Sequence, residues 1–182
     1  TISPGPATLH LATITLPRNG YQSDQLRRFE IINAGSATES DIDLMALFAD
    51  DGNGSWDDPA TESLLGDLIF TGDRWVLSGL SAPLNNTENT FFLAGTLADY
   101  PVSGRTIRPQ LPINGIDVAS NNDGPRDAAI TTAGALLIQT SEVVEIEHIS
   151  LPGRTLVPGE ISGAIFGFRA TNSYFADRNI DS

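Results

Sequence analysis

An alternating apolar segment near the start of the chain occurs again near its end. Residues 9–17 match residues 144–152 at one constant offset, with Leu, Ile or Val at the matched apolar positions. Both copies lose the two-residue alternation at the same place, at residues 12–13 and 147–148. A slip of one residue in the alternation is typical of a β-bulge. The shared slip therefore predicts a bulge in both copies and indicates an internal repeat of β-structure.

The match continues beyond this first strand. The segment FEIINAGS at 29–36 corresponds to FGFRATNS at 166–173, and DID at 41–43 corresponds to NID at 179–181. The later copy thus contains only the opening strands of a unit whose first copy fills about 120 residues. We predict a β-sandwich at 1–125, a linker at 126–140 and an incomplete second sandwich repeat at 141–182. Further chain, the first unit or a neighbouring subunit would have to complete it, because a half sandwich leaves an apolar face and a strand edge bare.

Short apolar runs bounded by Pro, Gly, Asn and Asp recur along the first unit, and no amphipathic helical pattern of convincing length interrupts them. Such runs predict β-strands. Their regular spacing is typical of an antiparallel sandwich, so the expected fold class is all-β. The predicted strands cover residues 7–16, 27–33, 42–48, 64–70, 75–80, 90–97 and 106–110.

Composition narrows the classes of function. The formal net charge is −13, and every basic residue is Arg. Nucleic acid is not an expected partner, because no basic stripe is present to displace phosphate counterions. Cysteine is absent, which excludes disulfides and thiolate chemistry. No apolar stretch approaches the roughly 20 residues of a membrane span, so membrane insertion is not expected either.

One acidic loop has the composition of a metal site. Counting from Asp51, oxygen-bearing side chains fall at loop positions 1, 3, 5, 7 and 12, which is the spacing of an EF-hand. Trp56 departs from that pattern at position six, where Gly is required, and Gly54 is expected to turn the chain instead. A solvated acidic turn without an ion is the alternative interpretation. The candidate calcium ligands are Asp50, Asp51, Asn53, Ser55, Asp57 and Glu62.

The segment LFADDGNGSWDDPATESLLG resembles calcium-dependent, immunoglobulin-like repeat domains of bacterial and archaeal secreted and cell-surface proteins. In those domains a strand runs into an acidic, glycine-rich loop with an aromatic residue, and an LLG strand follows. The resemblance covers about 20 residues. It implies an Ig-like antiparallel sandwich, bound calcium, an extracellular location and a structural or adhesive role.

These observations lead to two hypotheses about function. The first is a non-catalytic module of a cell-surface layer, fibre or filament, which associates with itself or with neighbouring surface-protein subunits. The second is a carbohydrate-binding or accessory module of a secreted hydrolase, in which Trp56, Trp75, Phe91 and Phe92 would stack on glycans. Catalysis is not expected, because His10 and His148 lie in predicted strands without a recognisable catalytic motif.

Overall fold

The computed structural model describes residues 1–17, 23–140, 144–150, 158 and 167–172. The chain divides into two compact units, Thr1–Gln139 and Thr140–Ser182. The described residues confirm the all-β prediction, and every named pair of strands is antiparallel. One turn of 3-10 helix, Glu39–Asp41, precedes the third strand.

The strands are β1 (Leu9–Leu16), β2 (Asp24–Asn33), β3 (Ile42–Ala49), β4 (Ser63–Asp67), β5 (Ile69–Thr71), β6 (Arg74–Leu84), β7 (Asn89–Leu97), β8 (Thr106–Ile107), β9 (Pro109–Leu111), β10 (Ile116–Val118), β11 (Ile130–Thr131), β12 (Leu136–Leu137), β13 (Val144–His148) and β14 (Phe168–Asn172).

Two sheets form most of the first unit. A four-stranded sheet has the order β1-β7-β3-β4. A six-stranded sheet has the order β11-β9-β2-β6-β5, with β10 also paired to β2. The long strand β2 is central to the second sheet because it pairs with β6 along one edge and with β10 and then β9 along the other. A two-stranded pair, β8 and β12, completes the unit.

A single large hydrophobic cluster draws residues from both sheets, as in a β-sandwich. Met45 and Leu93 enter it from the four-stranded sheet, and Phe29 and Trp75 enter it from the six-stranded sheet. Neighbouring residues along β3 and β7 point to the opposite face, as the two-residue period of a strand requires. On that outer face they form a second, smaller cluster, which consists of Ala46, Phe48, Phe92 and Ala94.

The two ends of the first unit are joined. Ile2 forms a parallel bridge with Ile138. The Ile2 N–H donates to the Leu137 carbonyl oxygen at 2.8 Å, and the Ile2 carbonyl oxygen accepts from the Gln139 N–H at 2.9 Å. Ile138 is 1% exposed and belongs to the large cluster.

The predicted linker at 126–140 is wrong, because most of this segment is part of the first unit. Ile130 and Thr131 pair with β9, and Leu136 and Leu137 pair with β8. The segment contains only two-residue strands, which are too short to produce the alternation that reveals a strand in sequence. The first compact unit therefore continues to Gln139 rather than ending at 125.

The predicted bulge is present in the first copy of the repeat and absent from the second. The register between β1 and β7 shifts between His10 and Ala12, one residue before the expected position. The pairing of β13 with β14 is continuous from Val144 to His148. The pairing partners also differ, since β1 and β2 lie in different sheets whereas β13 and β14 pair with each other. The predicted correspondence at 179–181 lies outside the described residues.

Candidate metal site

The acidic loop, residues 50–62, connects β3 to β4, which are antiparallel neighbours in the four-stranded sheet. The Asp50 N–H still donates to the Thr90 carbonyl oxygen at 3.1 Å, so the loop begins on a rigid strand end. Gly52 and Gly54 then adopt φ values of 108° and 76°, which strongly favour glycine. Gly54 thus turns the chain, as the sequence predicts.

Three carboxylates of the acidic loop converge. One oxygen from each of Asp50, Asp51 and Glu62 lies within 4.8 Å of the others. Two oxygens bound to the same Ca²⁺ at about 2.4 Å are no more than about 4.8 Å apart. The three side chains are therefore spaced to bind one such ion together.

Glu62 is the unusual member of this group because it is only 6% exposed. Its Oε2 accepts a hydrogen bond from the Asp51 N–H at 3.0 Å. Its Oε1 is buried and has no hydrogen-bond partner among the described residues. Burying a polar atom without a partner costs about 1–3 kcal/mol, and more when the group is charged. A bound cation would satisfy this oxygen and offset the repulsion among the three carboxylates.

Two of the other three predicted ligands bond to each other within the loop. The Asn53 side-chain amide donates to Asp57 Oδ2 at 2.7 Å, and Asn53 Oδ1 accepts from the Ser55 N–H at 2.7 Å. All three residues are exposed. The Asn53 N–H also donates to Asp51 Oδ1 at 3.0 Å, which links this network to the three carboxylates, whereas Asp57 is not among them.

Trp56 attaches the acidic loop to the outer face of the four-stranded sheet. Its ring centroid lies 5.2 Å from that of Phe48 and 5.7 Å from that of Phe92, both in edge-on geometry. The His10 ring stacks on it at 5.8 Å. Desolvation lowers the pKa of His10, and a hydrogen bond with the Ala12 backbone opposes this effect only in part. The residue that breaks the EF-hand pattern is therefore the one that anchors this loop.

The aromatic residues of the carbohydrate-binding hypothesis do not form an exposed platform. Trp75, Phe91 and Phe92 are 5%, 4% and 0% exposed. Trp56 is half-buried against Phe48, Phe92 and His10. Stacking on a sugar requires an accessible ring face, so these four side chains give no structural support to glycan binding.

Comparison of the chain with known protein families, with curated proteins and with solved structures finds no match. Within the described ranges, no helix is long and apolar enough to cross a bilayer.

Proposed function

We propose that this chain is a non-catalytic, extracellular structural module whose first unit is an Ig-like β-sandwich stiffened by calcium. The ion binds Asp50, Asp51 and Glu62 and ties the end of β3 to the start of β4. The module forms part of a cell-surface layer, fibre or filament and associates with copies of itself. Its negative charge suits an exposed setting and the recruitment of divalent cations.

The observation that carries the proposal is the buried Oε1 of Glu62, which has no hydrogen-bond partner among the described residues and belongs to a carboxylate that lies close to two others. Hard oxygen donors select Ca²⁺ or Mg²⁺ over softer metals. Mg²⁺ binds oxygens at about 2.1 Å in near-ideal octahedral geometry, which requires oxygens within about 4.2 Å of each other. The three oxygens lie within 4.8 Å of one another, a span that the longer bonds and looser geometry of Ca²⁺ accommodate.

The main test compares the melting temperature of the chain in calcium with that in chelator. Calcium at about one hundred times its Kd is expected to add about 2.7 kcal/mol to the free energy of unfolding. The double variant Asp50→Asn/Glu62→Gln should abolish the difference, because it removes two of the three charges while keeping similar side-chain volumes. Differential scanning calorimetry measures both effects. Magnesium at the same concentration should give a smaller increase.

The matched control is Asp57→Asn, which changes a carboxylate of the same loop outside the three-residue cluster. It should keep the full response to calcium, whereas loss of the response would favour the six-residue, EF-hand-like set of ligands. A melting temperature that is identical in calcium and chelator would contradict the cation site.

The extracellular location is tested separately by antibody labelling of intact, unpermeabilised source cells. Cells whose surface is not labelled would contradict an extracellular location.

A further inference from the structure

One side of the first unit contains an apolar cleft beside the edge of a sheet. β1 is the outermost strand of its sheet and, in the part of the chain that the structure describes, pairs only with β7. Next to it lies a cavity of about 460 Å³, lined by Ile14 and Leu16 of β1 and, across the gap, by Leu111 and Ile130. None of the described lining residues carries a charge. An edge strand beside an apolar cleft is the arrangement that accepts an added β-strand.

The second unit contains a strand with the matching chemistry. In the hairpin of β13 and β14, Ile146 and Phe168 lie on one face and are 69% and 55% exposed. On the opposite face Arg169 Nη1 lies 3.5 Å from Glu147 Oε2. Exposed apolar side chains of this size favour contact with another apolar surface.

We propose that the cleft of one copy accepts β13 of a second copy, which adds antiparallel or parallel to the outer edge of β1. Alternate side chains of an added strand point into the sandwich and out to solvent. With Ile146 turned into the cleft, His148 points the same way and Glu147 faces water, so the Glu147 carboxylate stays hydrated. The five residues of β13 also equal in number the five residues of β1 that line the cleft, 12–16.

The charge of the chain limits where two copies can meet. Two copies that each carry −13 repel one another, so contact between them is most favourable where neither surface carries a carboxylate. The described lining of the cleft and the Ile146 side chain meet that condition. Donor and acceptor are different surfaces of the same chain, and such head-to-tail contacts continue from copy to copy into a filament. The inference rests on the proposed structural role, but it does not depend on the cation.

The test measures the mass of the full chain by light scattering over a range of concentrations, in calcium and in chelator. The parent chain should show a mass that rises with concentration in both buffers. Ile130→Glu, which places a charge at the cleft, and Ile146→Glu, which places one on the donor strand, should each weaken association at least about tenfold. Both positions are already exposed, at 61% and 69%, so neither variant should disturb the core. The matched control is Ile69→Glu, because Ile69 is 71% exposed on β5 at the far edge of the six-stranded sheet.

A mixing experiment identifies the pairing. Chains with Ile130→Glu keep an intact donor strand, β13, and chains with Ile146→Glu keep an intact acceptor cleft. An equal mixture of the two should therefore form one-to-one dimers and nothing larger.

A parent chain that stays monomeric at all concentrations would overturn the proposal. Association that Ile69→Glu weakens but Ile130→Glu does not would also overturn it. A monomeric parent chain whose melting temperature falls with Ile146→Glu would assign the cleft to its own hairpin. Each of these results leaves the chelator test of the cation site unaffected.

Discussion

Replacing Asp41 by alanine is expected to lower the free energy of unfolding by about 3–5 kcal/mol. Asp41 is 1% exposed and lies at the end of the 3-10 turn that precedes β3. Its carboxylate accepts hydrogen bonds from the N–H groups of Thr38 and Val102 at 2.7 and 2.8 Å and from Arg105 at 2.7 Å. Alanine would remove this partner from the two N–H groups and leave the Arg105 side chain with only its hydrogen bond to Thr38 Oγ1, at 2.9 Å, among the described residues. Urea denaturation followed by circular dichroism measures the loss.

The matched control is Asp43→Ala, two residues further along the chain. Its carboxylate is exposed, and the expected change in the free energy of unfolding is below about 0.5 kcal/mol.

The stability that Asp41 supplies is also expected to depend on pH. Burial alone would raise the pKa of Asp41, but the hydrogen bonds from Val102, Thr38 and Arg105 together hold it below its ordinary value of 3.8. The stabilisation is therefore present above pH 3.8 and is lost as the pH falls through the lower, folded-state pKa. A loss below 1 kcal/mol at neutral pH for Asp41→Ala would contradict this account.

Replacing Phe92 by alanine is expected to cost a similar amount, about 3–5 kcal/mol. Phe92 is 0% exposed in the outer cluster of the four-stranded sheet, and its ring contacts both Trp56 and His10. Alanine would leave a cavity beneath Trp56 and remove part of the surface that holds the acidic loop. The variant should thus unfold at lower urea concentration, and calcium should raise its melting temperature by less than it does in the parent chain.

Two further variants separate the loss of buried volume from the loss of the contact that holds the acidic loop. Phe92→Leu keeps most of the buried volume and should lose much less stability. Phe70→Ala removes an aromatic ring of the same size that is 37% exposed on β5 and contacts Trp75 instead of Trp56. It should lower stability only modestly and leave the response to calcium unchanged. If Phe70→Ala alters the calcium response as much as Phe92→Ala does, then the loop does not depend on its contact with the sheet.

The long buried strands could be predicted from sequence, whereas the short and irregular ones could not. β3 and β7 differ from their predicted bounds by one residue, because each is an extended apolar run with turn residues beside it. β6 contains Gly79 and continues from the predicted end at 80 through Pro83 to Leu84. Gly79 has a φ of 75°, and Pro83 lies beyond the three residues where β6 pairs with β5. Proline is tolerated on such an unpaired edge, so it does not end the strand.

The three clustered carboxylates are among the six predicted ligands, but the sequence does not show which of the acidic side chains lie together. The sequence shows which residues carry oxygen atoms, and regular spacing indicates that all of them converge, as in an EF-hand. Convergence depends on the loop backbone, however, and Trp56 packs against the sheet in a way that gives this loop a different shape. The burial of Glu62 has no local signal either, because it results from the pairing of β3 with β4. The partners of β1 were likewise unpredictable, since strand order depends on contacts that are distant in sequence.

The joined ends of the first unit determine how it would bear a pulling force. The chain enters through Ile2 and leaves through Ile138, and these two residues lie side by side and run in the same direction. Tension applied at both flanks of the unit is therefore directed along the two paired segments, and it loads the hydrogen bonds at Leu137 and Gln139 simultaneously in shear. In a hairpin pulled open from its ends, the bonds would instead break one after another. The structural role proposed above would load the first unit in this geometry, in which both hydrogen bonds must break together.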